Sequence, residues 1–115
     1  MPTRGEVWRC ELDPTRGSEI RKTRPVVVLS SSVFDHLQVR IIVPLTTWQP
    51  RFANQLNKVL VKATPANGLK TDSAADFLQV RAVSLGRLTS RIGRVDAKVL
   101  EELAAGVAIA VEYRA

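Results

Sequence analysis

Between two apolar, strand-like runs lies a segment whose residue types suit phosphate chemistry: Thr15-Arg16-Gly17-Ser18-Glu19-Ile20-Arg21-Lys22-Thr23-Arg24-Pro25. It carries four cations, one carboxylate and three hydroxyls around a single large apolar side chain. Such a segment is expected to be an exposed loop, and its donors match a nucleic-acid backbone. Arg24 stands out because a guanidinium can hold two phosphate oxygens at once and stabilise charge that develops on them. The lone acid, Glu19, precedes it by five residues. Held among Arg16, Arg21, Lys22 and Arg24, Glu19 should stay ionised, which makes it a weak base; orienting Arg24 is an equally open role.

The elements that position this loop can be read from the periodicities around it. Gly5–Leu12 alternates, with Trp8, Cys10 and Leu12 on one face, and Asp13-Pro14 ends it. Val26-Val27-Val28-Leu29 is a continuous apolar run opened by Pro25, the pattern of a central strand covered on both faces. Arg40–Leu45, Lys58–Lys62 and Ala75–Leu85 read as further strands, and Leu88–Ile92 as a short sixth. One helical turn is expected near Phe34 and His36. Asp96 is a good helix N-cap, and Val95 and Leu100 stand at the spacing of a hydrophobic staple. Leu100, Leu103, Val107 and Val111 then repeat at helical spacing, so a helix over 97–113 is expected. Its uncharged end, Ala104–Val111, should be covered by the sheet or by another subunit, and Gly106 should allow close packing. Short strands without intervening helices imply a mainly β fold: a small antiparallel barrel of five to six strands with a C-terminal helix, one domain over residues 1–115.

Composition narrows the partners. The chain has 115 residues, room for one core but not two, and a net charge of +6. The charge is uneven: residues 1–94 hold 15 bases against 7 acids, while residues 95–115 hold 2 against 4. A basic body favours a polyanion such as RNA or DNA. Cys10 is the single cysteine, so no intrachain disulfide forms, and its place on a strand face suits a buried apolar residue better than a nucleophile. Neither a signal peptide nor a membrane span is expected, which points to the cytoplasm.

Four stretches, taken together, resemble the MazF/PemK/Kid family of toxin endoribonucleases. They are Arg4-Gly5-Glu6-Val7-Trp8 with Leu12-Asp13-Pro14-Thr15; Gly17-Ser18-Glu19 with Thr23-Arg24-Pro25-Val26-Val27; Val43-Pro44-Leu45-Thr46; and Gly68-Leu69, Asp72-Ser73 and Gln79-Val80-Arg81. The resemblance implies an SH3-like barrel, a homodimer and sequence-specific cleavage of single-stranded RNA such as mRNA. It also implies no metal or cofactor, and an antitoxin whose acidic C-terminal segment lies across the RNA site.

RNA can be cut by its own 2′-OH, leaving a 2′,3′-cyclic phosphate and a 5′-OH. The reaction needs a base, a proton source and donors on the phosphorane. His36, the single histidine, sits apart from these motifs and is expected in an exposed turn. By the resemblance Arg24 and Thr46 are the catalytic pair, with Glu19 the candidate base. Ser18, Thr47, Gln79 and Arg81 are expected at the RNA groove, and Arg16, Arg21, Lys22 and Arg51 as phosphate contacts. Phe52 and Trp48 could stack on bases or pack in the core. Relatives often carry Asp directly before the Gln; here the residue is Leu78. Asp76, two residues earlier, could replace that acid or form a surface salt bridge. Two other readings stay open: a gyrase-poisoning toxin of the CcdB type on the same barrel, and an RNA-binding relative that has lost turnover.

Overall fold

β-Branched and alternating segments build seven strands in the computed structural model, which describes residues 1–114. They are β1 (Glu6–Glu11), β2 (Thr23–Val28), β3 (Val39–Thr47), β4 (Lys58–Val61), β5 (Ser73–Asp76), β6 (Arg81–Ser84) and β7 (Leu88–Arg94), followed by helix α1 (Ala97–Ala110). All ladders are antiparallel, in the order β4-β5-β3-β2-β1-β7, with β6 also paired to β3. β3 is the hub. Its first half pairs with β6 through Val39↔Ser84 and its end pairs with β5 through Thr47↔Ser73. The sheet curls around its core without a ladder between β4 and β7 among the described residues.

Alternation sends each strand's side chains into two clusters. Val7, Val27, Val43 and Leu45 join Val95 and Leu103 under the helix, while Cys10, Leu12, Val26, Val28 and Ile42 join Val83 and Leu88 on the other face. Val26, Val27 and Val28 are all fully buried, as a two-sided central strand requires. Trp8, Cys10 and Leu12 all belong to the second cluster, as the alternation predicts. Arg40, also buried, donates to the carbonyls of Pro2, Leu37, Val39 and Asp35 and so fastens the N-terminus to the turn before β3.

Two elements differ from expectation. The strand predicted over Ala75–Leu85 is broken: a short 3₁₀ turn, Phe77–Gln79, separates β5 from β6. Asp76 causes the break, because its carboxylate caps the turn by accepting from Leu78 N at 3.1 Å. Asp76 and Leu78 therefore share no strand face, and neither do Gln79 and Arg81. The helix starts as predicted, with Asp96 accepting from Val99 N at 2.9 Å and with Val95 and Leu100 in one cluster. It stops at Ala110 instead of 113 because a Schellman-type closure intervenes: Tyr113 N bonds Ala108 O, Glu112 N bonds Ile109 O, and Glu112 takes φ 57°. Gly106 does permit close approach; a Cβ there would lie 2.6 Å from the Phe77 ring. The sheet buries Leu103 and Gly106 but leaves Ile109 and Val111 exposed, so it does not cover the apolar helix end. No described helix is long and apolar enough to cross a membrane.

Candidate functional site

The β2–β3 ladder pairs Val26↔Pro44, Val27↔Val43 and Val28↔Ile42. Arg24 and Thr46 each lie two residues beyond the last pair of this ladder, where β2 begins and β3 ends. Both side chains line a single pocket of about 280 Å³. Arg24 is half-buried, and its Nε donates to the Arg21 carbonyl at 3.3 Å. Its terminal nitrogens have no hydrogen bond or ion pair among the described residues, so they remain available to an anion. Thr46 stands beside Thr47 at the end of β3, and Ser73 and Thr71 bring further hydroxyls to the same pocket. A guanidinium and hydroxyls around one small cavity can hold a phosphodiester and stabilise added negative charge on it.

Two further hollows continue from this pocket. The first shares Thr46 and is lined by Ser18, Arg51, Phe52 and Gln79 among others. The second shares Ile20 and Gln79 with the first and adds Glu19, Leu78 and Arg81. The three hollows together gather Ser18, Thr47, Arg51, Gln79 and Arg81 alongside Arg24, Thr46 and Glu19. Arg16, Arg21 and Lys22 are exposed on the loop above and line none of the three hollows.

Several side chains have different work from that expected. Gln79 fastens the β1–β2 loop: its Oε1 accepts from Ile20 N at 3.2 Å and its Nε2 donates to Ser18 O at 3.1 Å. Arg81 Nη1 donates to Leu12 O at 3.2 Å, and Arg87 Nη1 donates to Glu11 O at 2.9 Å. Glu19 caps a tight turn of the loop, its Oε1 accepting from Arg16 N at 2.5 Å while its own N bonds Arg16 O. It lines a different hollow from Arg24 and Thr46, and the hydrogen bond that Arg24 makes is to the Arg21 carbonyl.

Asp76 lines the hollow that shares Thr46, and the ion pair it makes is a buried one, not one on the surface. It is 5% exposed, accepts from Asn57 Nδ2 at 2.9 Å, and pairs with Lys58 Nζ at 3.2 Å. Phe52 is buried edge-to-face against Trp48, with ring centroids 5.8 Å apart, and has Arg51 and Lys58 over its ring. Core packing therefore describes Phe52 better than stacking on a base, while Trp48 is half-buried beside it. Burial pushes the Cys10 thiol up to about 11 against the opposing pull of Arg81 and Arg87, which suits an inert core residue. His36 is exposed, as expected.

Two cations at the main pocket were passed over by the sequence reading. Arg9 looked like an ordinary outward residue of β1, yet its pairing with Pro25 sets it at the pocket edge. Lys70 lies in the turn before β5, which brings it to the lining of the same pocket. Their basic character was visible in the sequence; the register and turn geometry that aim them at the pocket were not.

Comparison with known proteins bears on the fold and the lineage. Residues 3–111 match the family described as PemK-like, MazF-like toxin of type II toxin–antitoxin system. Endoribonuclease MazF9 of Mycobacterium tuberculosis is 37% identical over 107 residues, covering 90% of each chain. Endoribonuclease PemK of Escherichia coli is 29% identical, covering 87% of this chain and 74% of its own. Among solved structures, MazF from Deinococcus radiodurans superposes with a TM-score of 0.81 at 18% identity, with 96% of both chains covered. A mycobacterial endoribonuclease in complex with its cognate antitoxin gives 0.76 at 19%, covering 100% of this chain and 99% of that one. The structural matches carry the fold, and the sequence matches carry the lineage: the chain belongs to the PemK-like, MazF-like toxins of type II toxin–antitoxin systems.

Proposed function

We propose that the protein is an endoribonuclease toxin that cuts single-stranded RNA at specific sequences without metal, through attack of the 2′-OH on its own phosphate. The observation that carries this reading is the convergence of Arg24 and Thr46 on one pocket from adjoining ends of β2 and β3. Arg24 holds two oxygens of the scissile phosphate and stabilises the extra charge of the phosphorane. The Thr46 hydroxyl, which can donate and accept at once, bonds a third oxygen or passes a proton. The 2′-oxygen bonds phosphorus as the P–O5′ bond breaks, and the proton lost by the 2′-OH is balanced by one gained at the 5′-oxygen, leaving a 2′,3′-cyclic phosphate and a 5′-OH. Ser18, Thr47, Arg51 and Arg81 line the trough that the flanking nucleotides follow, while Arg16, Arg21 and Lys22 meet phosphates from the loop above. Residues 1–115 act as one domain of a homodimer, a reading supported by exposed Ile109, Val111 and Tyr113 at the helix end. Named relatives are endoribonucleases, and one structural neighbour is held by its antitoxin. By the same logic an antitoxin with an acidic C-terminal segment neutralises this chain across its basic trough, in the cytoplasm.

Incubating a long RNA with the purified protein in EDTA tests the reaction. Discrete cuts with 2′,3′-cyclic phosphate and 5′-OH ends are expected. No cutting in EDTA, with activity restored by a divalent cation, would contradict the mechanism. Leu78, 64% exposed in the trough where an acid is common among relatives, supports a second reading: binding of RNA without turnover. Tight RNA binding with no cuts under any condition would favour it.

A further inference from the structure

The pocket that holds Arg24 and Thr46 is lined by two further cations, Arg9 and Lys70, and by no carboxylate. Arg9 is exposed on β1, opposite Pro25; Lys70 is exposed on the turn that leads into β5. Neither belongs to an ion pair among the described residues. Arg81 and Arg87, by contrast, each donate to carbonyls at the base of the β1–β2 loop. Three unneutralised cations around about 280 Å³ repel one another, an arrangement relieved by an anion of more than one charge.

We infer that Arg9 and Lys70 form phosphate subsites on either side of the scissile position, gripping the backbone phosphates that flank the one held by Arg24. This rests on the endoribonuclease reading and extends it. The argument is one of placement. Arg9 comes from β1, Arg24 and Thr46 from the β2 and β3 ends, and Lys70 from the 64–72 connection, so the cations enter the pocket from separate elements. A single phosphate satisfied by Arg24 and Thr46 leaves Arg9 and Lys70 without partners, and an RNA chain supplies one further phosphate in each direction. Both act as binding residues that fix the register of the strand, and neither takes part in bond making.

The test uses a fluorescent, non-cleavable 2′-O-methyl oligoribonucleotide for affinity and the matching RNA for single-turnover cleavage. Arg9→Gln and Lys70→Gln should each weaken binding several-fold at low salt. Each should also lower the slope of log affinity against log salt by about 0.7, one single-strand phosphate contact. At subsaturating RNA the cleavage rate of both should fall in step with the affinity. Lys98→Gln, on the helix away from the trough, serves as the charge control and should change neither quantity. Unchanged affinity and slope in the pocket variants, an equal effect from Lys98→Gln, or a collapse of the saturated rate with affinity intact would each overturn the assignment. The affinity measurement does not depend on cleavage. Failure of the parent reading would show instead as wild-type protein that binds the oligonucleotide but does not cut its RNA counterpart.

Discussion

At the level of single residues, the site separates groups left free from groups already engaged. Arg24 keeps its terminal nitrogens open, whereas Glu19, Gln79 and Asp76 spend their polar atoms on the protein itself. Glu19→Gln keeps an oxygen able to accept from Arg16 N, so the turn survives while the charge is lost. Cleavage should fall by less than about tenfold, below the usual contribution of a general base. A hundredfold loss in single-turnover rate, with the loop intact by NMR, would return Glu19 to the reaction. The sequence revealed Arg24 and Thr46 because their motifs are local. It could not reveal that Asp76 is buried against Lys58 and Asn57, partners 18 and 19 residues away that only the β4–β5 pairing brings together.

Among the elements, most of the strands and the helix start were legible, since alternation and capping are local signals. The 3₁₀ turn after β5 was not, because Phe77–Gln79 continues an apolar alternation and one capping carboxylate overrides it. The helix stop was hidden for a similar reason: Glu112 occupies the left-handed closing position that glycine usually fills. Replacing it removes that conformational strain, so Glu112→Gly should stabilise the protein by roughly 0.5–1 kcal/mol. Chemical denaturation measures this directly. A lower midpoint would show that the Glu112 side chain contributes more than its backbone costs.

Across the whole molecule, one buried carboxylate links the N-terminal segment, β1 and β7. Glu6 accepts from Thr3 N at 2.8 Å and Trp8 Nε1 at 3.1 Å and pairs with Arg91 at 2.9 Å. Burial alone would raise its pKa, but the hydrogen bonds from Trp8 and Thr3 and the Arg91 charge outweigh it and hold the group below the ordinary carboxylate range. A depressed folded pKa contributes stability above the unfolded value, and that stability is lost as pH falls through the folded one. Glu6→Gln should therefore lower the melting temperature at pH 7, with the gap to wild type closing in acid. A gap that stays constant with pH would contradict this. The same long-range closure of the sheet brings β2 and β3 ends, a connecting turn and β1 around one pocket, and it was the fold, not any motif, that added Arg9 and Lys70 to it.

A double-mutant cycle on Arg24 and Thr46, read as single-turnover RNA cleavage at saturation with folding checked by circular dichroism, bears most directly on the site. Two donors acting on the same phosphorane should each cost about a hundredfold or more when removed. Arg24→Ala with Thr46→Ala should then be little worse than the poorer single variant, because each depends on the other's grip. Wild-type rates in either single variant, or losses that simply multiply in the double, would contradict a shared phosphate between these two side chains.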